Sequence, residues 1–331
     1  MQQNHQVIIR QLPEGNLTEA HFELKVGEVP VLEPGQVLMK TRLMSIDAAN
    51  RAWMQGATYR AAVNAGDVMP TYAIGEVLES QDPSLSPGDL IAAESSWAEY
   101  VAIPARYAQK LTPVEPLSNL LSVLGIAGKT AYHGLVDVGR PNPGETVVVS
   151  AAAGSVGMFV GQIAKALGCR AVGIAGGEEK CAWVTETLGF DACVDYRAGN
   201  LFKDLKAACP DGVDVYFDNV GGKVLETVLF QMNQNGRIVC CGAVSQYDGD
   251  APSGPRNLPG LVVVKRLRME GFIVMDYAEK DAEAIAALKE WVDAGKIHVA
   301  EDIVEGLAAA PGALVGLLAG KNRGKRMVRV S

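Results

Sequence analysis

The sequence is poor in the residues that most metal and hydrolytic sites require. Only 4 histidines occur in 331 residues, and no cysteine precedes Cys169. The metal motif H-E-x-x-H and the nucleophile motif G-x-S-x-G do not occur in it. A zinc site needs three or four converging Cys, His or carboxylate ligands, so we expect no metal in this protein. Zinc hydrolase and zinc dehydrogenase chemistry are therefore disfavoured.

Excess basic charge and long apolar runs are also lacking. The 30 Lys and Arg residues against 38 Asp and Glu give a net charge of -8, which repels phosphate backbones and argues against a nucleic-acid partner. No apolar run approaches the ~18 residues of a membrane span, so no membrane partner is expected. The polar start Met1-Gln2-Gln3-Asn4-His5 has neither part of a secretory signal, and we expect a cytoplasmic protein.

Glycine, in contrast, is plentiful, with 36 residues. This number indicates many tight turns and close backbone approaches. The six cysteines show no C-x-x-C spacing and are expected to be reduced and mostly buried. Aromatic residues make up only 6% of the chain.

Two textures divide the chain. Residues 1–125 contain short β-like runs broken by Gly and Pro turns, which predicts a β-rich, barrel-like domain. Residues 126–296 alternate strands and helices, which is typical of a doubly wound parallel sheet. The tail 297–331 resembles the first part and is assigned to it. We predict strands at Leu261–Lys265 and Met269–Val274, one of them an exposed apolar edge that would pair in a homodimer.

The clearest motif follows the predicted strand Thr146–Ser150. It reads A-x-G-x-x-G, a G-x-G-x-x-G motif in which Ala152 takes the place of the first glycine and Gly154 and Gly157 follow. Gly154 allows the backbone to approach a pyrophosphate, Gly157 allows close helix packing, and the helix N-terminus favours phosphate. This context predicts a dinucleotide-binding turn, with a purely structural βα turn as the alternative.

The end of the next strand is where such a fold distinguishes the adenosine ribose of NAD from that of NADPH. An NAD-specific fold usually has Asp or Glu there, whereas this sequence has Ala175-Gly176-Gly177. The small residues leave room for a 2′-phosphate, which Lys180, Tyr196 and Arg197 would contact. These features favour NADPH. In the alternative, Lys180 is a solvated helix charge and Glu178 binds the 2′-hydroxyl of NAD.

Two later strand ends add candidates. Asn219 follows the fourth strand of this domain as a cofactor contact or, alternatively, as a turn residue before Gly-Gly. Gly242 and Ala243 follow the fifth strand and suit close approach to a nicotinamide ring. Tyr247 then lies at the expected mouth of the site, as a proton donor or as an aromatic wall of the cleft.

The combined motifs resemble the medium-chain dehydrogenase/reductase superfamily, and within it the zinc-independent alkenal/enone reductases. That group includes prostaglandin reductases, plant double-bond reductases and bacterial curcumin reductases. The motifs that carry the resemblance cover nearly the whole chain: Asn50-Arg51-Ala52-Trp53-Met54, Gly75-Glu76-Val77, Trp97-Ala98-Glu99-Tyr100, Gly128-Lys129-Thr130-Ala131-Tyr132, Gly176-Gly177-Glu178-Glu179-Lys180-Cys181, Asp218-Asn219-Val220-Gly221-Gly222, Cys241-Gly242-Ala243-Val244-Ser245-Gln246-Tyr247 and Gly320-Lys321-Asn322-Arg323-Gly324-Lys325.

The resemblance implies an α/β protein in which a Rossmann NADPH-binding domain, 126–296, accompanies a β-rich GroES-like barrel domain for substrate and catalysis, 1–125 and 297–331. It implies NADPH-dependent reduction of the C=C bond of α,β-unsaturated ketones and aldehydes, with hydride to the β-carbon and a proton to the α-carbon, by a homodimer. Tyr247 is the catalytic candidate. The predicted cofactor-binding residues are Ala152, Gly154, Ser155, Val156, Gly157, Gly177, Lys180, Tyr196, Asn219, Cys241, Gly242, Ser245, Tyr247, Phe272, Val274 and Asn322; the predicted substrate-cleft residues are Asn50, Tyr59 and Tyr72.

Two departures from the family pattern concern substrate preference. The stretch Tyr59–Asp67 lacks the usual Pro-rich loop, and Ala48-Ala49 replaces a Pro-aromatic pair. Two other functions stay open at this point. One is an NADPH quinone reductase, with the same hydride donor and another acceptor; the other is an NADPH-binding sensor without turnover.

Overall fold

The structure is a computed structural model that describes residues 3–248 and 254–330. The chain divides into two compact units. The first comprises residues 1–121, 301–321 and 326–331, and the second comprises 122–300 and 322–325. Sequence reasoning placed the two main boundaries at 125/126 and 296/297. Met1 and Gln2 of the polar start lie outside the described residues.

The strands and α-helices of the described residues are numbered in chain order. The strands are β1 (Gln3–Ile9), β2 (Phe22–Glu28), β3 (Gln36–Ser45), β4 (Pro70–Ser80), β5 (Leu90–Ser96), β6 (Tyr100–Pro104), β7 (Gln109–Lys110), β8 (Thr146–Ser150), β9 (Arg170–Ala175), β10 (Ala192–Asp195), β11 (Val213–Asp218), β12 (Met232–Cys240), β13 (Arg268–Gly271), β14 (Glu301–Glu305) and β15 (Lys325–Arg329). The α-helices are α1 (Ala49–Trp53), α2 (Ile126–Tyr132), α3 (Gly157–Ala166), α4 (Glu178–Glu186), α5 (Leu201–Ala208), α6 (Gly222–Gln231), α7 (Leu258–Lys265), α8 (Asp281–Asp293) and α9 (Ala310–Leu318).

The first unit is built on antiparallel pairing. Its main sheet has the order β14-β15-β3-β4-β5-β7, with β6 also beside β3, and β1 pairs with β2 in a second sheet. Inward-facing residues such as Met39, Val77 and Trp97 form its core with Leu314 from α9. The predicted β-rich domain is confirmed.

The second unit contains a six-stranded sheet in the order β10-β9-β8-β11-β12-β13. All of its pairings are parallel. Every residue of β8 is buried, because helices pack on both faces of a parallel sheet. The predicted Rossmann-type sheet is confirmed. Strands β8 and β11 are neighbours at its centre, where the strand order reverses, so the crevice at their carboxyl ends is the expected ligand site.

The segment after residue 257 corrects one prediction. Residues Leu261–Lys265 belong to helix α7, where a strand was predicted. Asn257 precedes the helix and Pro259 stands in its first turn, where a fixed φ favours helix initiation. A short apolar run does not by itself distinguish a strand from a helix. The next predicted strand is shorter than expected, since β13 ends at Gly271 and Val274 begins a 3₁₀ turn.

Within the described residues, no helix has the length and apolar character needed to cross a bilayer.

Candidate cofactor site

The turn after β8 has the shape of a phosphate cradle. Ala151 has a φ of 51°, and the Gly154 amide donates to its carbonyl at 2.9 Å. A Cβ on Gly154 would lie 3.1 Å from the Ala151 oxygen, and one on Gly157 only 2.3 Å from it. The Ser155 hydroxyl oxygen is buried without a hydrogen-bond partner among the described residues. An orphaned donor beside a helix N-terminus fits a bound phosphate.

The turn after β9 is held by a carboxylate from the end of β10. Asp195 Oδ1 accepts the Gly177 amide at 2.7 Å and the Arg197 amide at 2.8 Å. Gly177 has a φ of 97°, a region that L side chains rarely adopt. Sequence reasoning missed Asp195, although an acidic residue directly before Tyr196-Arg197 is a usual capping signal.

Three predicted phosphate contacts converge around this turn. A Cβ on Gly176 would lie 2.8 Å from Tyr196 Cε1 and 2.9 Å from Arg197 Nε. The Arg197 guanidinium carbon is 5.7 Å from the centre of the Tyr196 ring. Lys180 is half-buried in the first turn of α4. We call Gly176, Gly177, Lys180, Tyr196 and Arg197 the cationic corner.

A buried polar cluster joins the ends of β8 and β11. Asp218 Oδ1 accepts the Tyr216 hydroxyl at 2.7 Å, the Ser150 hydroxyl at 3.2 Å, and two backbone amides at 2.9 Å each. The side-chain amide nitrogen of Asn219 donates to the Ser150 carbonyl at 2.8 Å. Burial, and secondarily the Asp218 charge, raise the pKa of Tyr216 well above its ordinary value. We call Ser150, Tyr216, Asp218 and Asn219 the central junction; only Asn219 was predicted.

The turn after β12 is fastened to the central junction. The amides of Cys241 and Gly242 donate to the Asp218 carbonyl at 2.9 and 3.1 Å. The Ser245 hydroxyl donates to the Val220 carbonyl at 2.6 Å. Burial, together with the Asp218 charge, raises the pKa of the Cys241 thiol to about 12, so it is protonated at neutral pH. Cys241, Gly242 and Ser245, which were predicted to bind the cofactor, are therefore held in place by hydrogen bonds within the protein.

Tyr247 folds back over this same turn. Its hydroxyl oxygen accepts the Ala243 amide at 3.2 Å, and a Cβ on Gly242 would lie 3.5 Å from that oxygen. The ring is half-buried. The phenol therefore lies against the Gly242-Ala243 backbone at the carboxyl edge of the sheet. Its catalytic role is a prediction that rests on this location.

Phe272 and Val274 follow β13. Phe272 packs edge-on against Phe217, with ring centres 6.3 Å apart. A Cβ on Gly134 would lie 2.6 Å from the tip of the Phe272 ring, so this side chain fills core space as well. Val274 is half-buried at the start of a 3₁₀ turn.

Asn322 reaches the site from the C-terminal part of the chain. It is buried, and its side-chain amide donates to the Gly324 carbonyl at 2.9 Å. The Gly324 amide donates to the Ala153 carbonyl at 2.9 Å, beside the phosphate cradle. The structure therefore brings Asn322 to the predicted dinucleotide turn, although 165 or more residues separate them in sequence.

The predicted substrate residues lie in the first unit. Asn50 is buried, donates to the Pro70 carbonyl at 2.9 Å and accepts the Asp47 amide at 2.8 Å, which is a structural contact. Tyr59 is exposed and meets Trp53 edge-on at 6.5 Å. Tyr72 lies half-buried on β4. Their roles toward substrate remain predictions.

Potential metal ligands do not cluster in the described part of the chain. No group of three or more His, Cys, Asp and Glu side chains within residues 3–248 and 254–330 is placed to hold an ion. All six cysteines are free, and Cys169 and Cys209 are buried. That the protein holds no metal stays a prediction, which treatment with a chelator would test.

The fold and these turns define a dinucleotide-binding protein of the α/β class. Residues 5–111 match the family "N-terminal domain of oxidoreductase", and residues 155–291 match the family "Zinc-binding dehydrogenase". The chain is 42% identical to an NADPH-dependent curcumin reductase of Escherichia coli over 100% of this chain and 98% of that protein. It is also 42% identical to prostaglandin reductase 1 of Mus musculus, over 96% of each chain.

A solved structure gives the same result. CurA from Vibrio vulnificus in complex with NADPH matches with a TM-score of 0.94 and 38% identity over 99% of each chain. The chain belongs to the medium-chain dehydrogenase/reductase family, in its enone reductase branch.

Proposed function

We propose that this protein is an NADPH-dependent reductase of the C=C bond in α,β-unsaturated ketones and aldehydes. The observation that carries the cofactor choice is the cationic corner. At the end of β9 the structure has Ala175, Gly176 and Gly177 in place of a ribose-binding carboxylate, with Lys180 and Arg197 beside them. The nearby carboxylate of Asp195 is engaged with two backbone amides, so it supports the turn. This arrangement favours a 2′-phosphate over a 2′-hydroxyl.

The residues present fit the cofactor along the whole carboxyl edge of the sheet. Gly154 and the Ser155 hydroxyl would hold the pyrophosphate, Lys180 and Tyr196 the 2′-phosphate, and Asn219 the central region. When bound, NADPH supplies the hydride. The protein's own contribution is to orient the cofactor on fixed turns, because backbone hydrogen bonds join the turns after β11 and β12.

Tyr247 is the proposed proton donor for the substrate's α-carbon or hydrogen-bond donor to its carbonyl oxygen. Its ring lies on the turn that follows β12, at the edge where ligands bind in such sheets. A hydrogen-bond donor placed where negative charge develops lowers the barrier. Water can also supply this proton, so the contribution of Tyr247 to the rate is smaller the more readily water replaces it.

The decisive experiment is NADPH oxidation followed at matched concentrations of an enone, an enal and a simple quinone. We expect a higher kcat/KM for the enone and the enal than for the quinone. A preference for the quinone would assign a quinone reductase instead. Tight NADPH binding with no oxidation by any acceptor would indicate the non-catalytic sensor.

We also propose a homodimer formed at the β13 edge of the parallel sheet. All four residues of β13 are exposed, and α7 presents Val263 and Val264 at 73% and 68% exposure beside it. Met269 and Met275 extend the apolar surface. The opposite edge strand, β10, is half-buried or buried throughout. An exposed strand edge that lies beside apolar side chains is stabilised by pairing with its own copy about a two-fold axis.

Light scattering at micromolar concentration tests the dimer. We expect twice the 35.0 kDa chain mass for the natural protein. The double variant Val263→Glu, Val264→Glu should give a monomer with retained secondary structure, because two like charges would face two others. Glu substitutions at Leu24 and Val26, exposed residues of the first unit, serve as the control. A monomeric natural protein would refute the proposal.

We place the protein in the cytoplasm, since six free thiols are suited to a reducing compartment.

A further inference from the structure

The segment Asn322–Lys325 packs with the dinucleotide-binding unit although it is far away in sequence. Gly324 forms a parallel bridge with Gly154, and its amide donates to Ala153. Its φ of 73° and the Ala300 oxygen, 2.2 Å from where a Cβ would lie, require glycine at this position. The backbone on the C-terminal side of Arg323 is therefore fixed beside the phosphate cradle.

The Arg323 side chain leaves this fixed point and reaches the other phosphate-binding turn. Its Nη2 atom forms an ion pair with Oε1 of Glu179, in the first turn of α4. Glu179 directly precedes Lys180 of the cationic corner. Arg323 thus spans from the turn after β8 to the turn after β9. In this fold a dinucleotide places its pyrophosphate at the first of these turns and its adenosine ribose at the second.

The ion pair itself is easily exchanged. The Glu179 side chain is 85% exposed and the Arg323 side chain 41% exposed. Exposed pairs contribute little to stability, because water competes for both partners. A phosphate, in contrast, accepts two parallel hydrogen bonds from one guanidinium and carries more charge than a carboxylate. A phosphate group near the cationic corner therefore competes effectively with Glu179 for Arg323.

We propose that Arg323 is a specificity-determining residue for the 2′-phosphate of NADPH, and that Glu179 holds it in place until the cofactor binds. In the bound protein Arg323 pairs with the phosphate together with Lys180 and Arg197, and Glu179 returns to solvent. The inference rests on the proposed NADPH dependence. It adds that the Glu179 charge opposes cofactor binding by competing for the arginine.

The test is a fluorescence titration with NADPH and with NADH, for the natural protein, Arg323→Gln, Arg323→Lys, Glu179→Gln and the double variant. Arg323→Gln should weaken NADPH binding about tenfold, the loss expected for one charge-assisted contact, and change NADH binding less than twofold. Glu179→Gln should strengthen NADPH binding about threefold, since it removes the competing partner. Arg323→Lys should give an intermediate value, and the double variant should equal Arg323→Gln.

A second pair of probes locates the contact on the cofactor. Adenosine 2′,5′-bisphosphate and adenosine 5′-monophosphate differ only in the 2′-phosphate, so the Arg323→Gln loss should appear with the first and disappear with the second. Equal losses for both, or for NADPH and NADH, would make Arg323 a pyrophosphate contact or a structural strap and overturn the proposal. Weaker NADPH binding in Glu179→Gln would overturn it as well.

Different results would contradict the NADPH dependence of the protein and the role of Arg323. A natural protein that binds NADH as tightly as NADPH contradicts the proposed function. A natural protein that prefers NADPH, with the same preference in Arg323→Gln, contradicts only the role of Arg323. Thermal unfolding without nucleotide checks that each variant is folded before titration.

Discussion

The cationic corner and the central junction lie at the same edge of one parallel sheet, and they differ in burial and in charge. In the corner, Tyr196 is 45% exposed, and the guanidinium carbon of Arg197 lies 5.7 Å from the centre of its ring. In the junction, Asp218 is buried and accepts four hydrogen bonds from groups on two strands and the following turn. One site offers positive charge to the outside, and the other satisfies a negative charge inside.

Because of this difference, we expect the junction to contribute mainly to the stability of the protein and the corner mainly to cofactor affinity. A buried carboxylate leaves several donors without partners when it is removed, so substitution there acts on the free energy of unfolding. A cation that is partly or fully exposed keeps water as a partner, so its removal acts mainly on ligand affinity. Substitutions in the junction should therefore lower the free energy of unfolding, whereas substitutions in the corner should lower the affinity for NADPH.

Asp218→Ala should cost about 3–5 kcal/mol in the free energy of unfolding, since buried donors from Ser150, Tyr216 and two amides lose their acceptor. Urea unfolding without nucleotide measures it. Asp195→Ala removes the carboxylate that supports the turn of the cationic corner through two backbone amides, and it should cost only about 1–2 kcal/mol. Equal costs would erase the distinction between the two clusters.

Gly157→Ala should destabilise the protein by about 2–3 kcal/mol, because its Cβ would lie 2.3 Å from the Ala151 carbonyl oxygen and 3.0 Å from the Ala152 Cα. The neighbours are backbone atoms of the phosphate turn, so NADPH affinity should fall too. Gly56→Ala is the control, since no atom lies within 4 Å of its Cβ position. An unaffected Gly157→Ala variant would show that the turn relaxes freely.

Lys180→Ala should weaken NADPH binding by some tens-fold, equivalent to about 2 kcal/mol, while NADH binding and the unfolding midpoint change little. Lys203→Ala, on the exposed side of α5, is the matched control for loss of one positive charge. Isothermal titration with both nucleotides measures the selectivity. A parallel loss for NADPH and NADH would remove Lys180 from the 2′-phosphate site.

Tyr247→Phe tests an intermediate case, since its turn is fastened to the junction but its ring is half-buried. We expect kcat to fall about tenfold with NADPH affinity preserved, a smaller loss than a sole acid would give because water substitutes. Steady-state kinetics with an enone measures it. A variant with natural kcat and kcat/KM would make Tyr247 a wall of the cleft, and solvent the acid.

Tyr216→Phe should show the smallest effect, and one that depends on pH. Near neutral pH the loss of the Asp218 hydrogen bond costs about 1 kcal/mol. Burial raises the pKa of Tyr216 in the folded protein, so above pH ~10 the unfolded chain ionises first and stability falls by ~1.4 kcal/mol per pH unit. The variant lacks this term, so the two stability curves should converge near pH 11. A constant difference from pH 8 to 11 would contradict the raised pKa.

Sequence reasoning located most elements of the second unit because its signals are local. The β-branched run Thr146–Ser150, the glycines of the following turn and the apolar period of the helices each predict one conformation. The strand predicted at Leu261–Lys265 was wrong because the local signal there is ambiguous. Its apolar residues fit a strand and a helix equally, and Pro259 in the first turn decides the helix.

The residue types along the chain were enough to predict the class of fold, the glycine-containing turn after β8 and the lack of an acidic residue at the end of β9. These depend on residue types at neighbouring positions, and steric and hydrogen-bonding preferences act over that range. Packing between separate elements brings Asp218 to Ser150, Asp195 to Gly177, and Arg323 to Glu179, and no sequence pattern predicted these contacts. These contacts join residues that are 18 to 144 positions apart in sequence. They form because the order of the strands and the packing of the helices bring the ends of separate elements together.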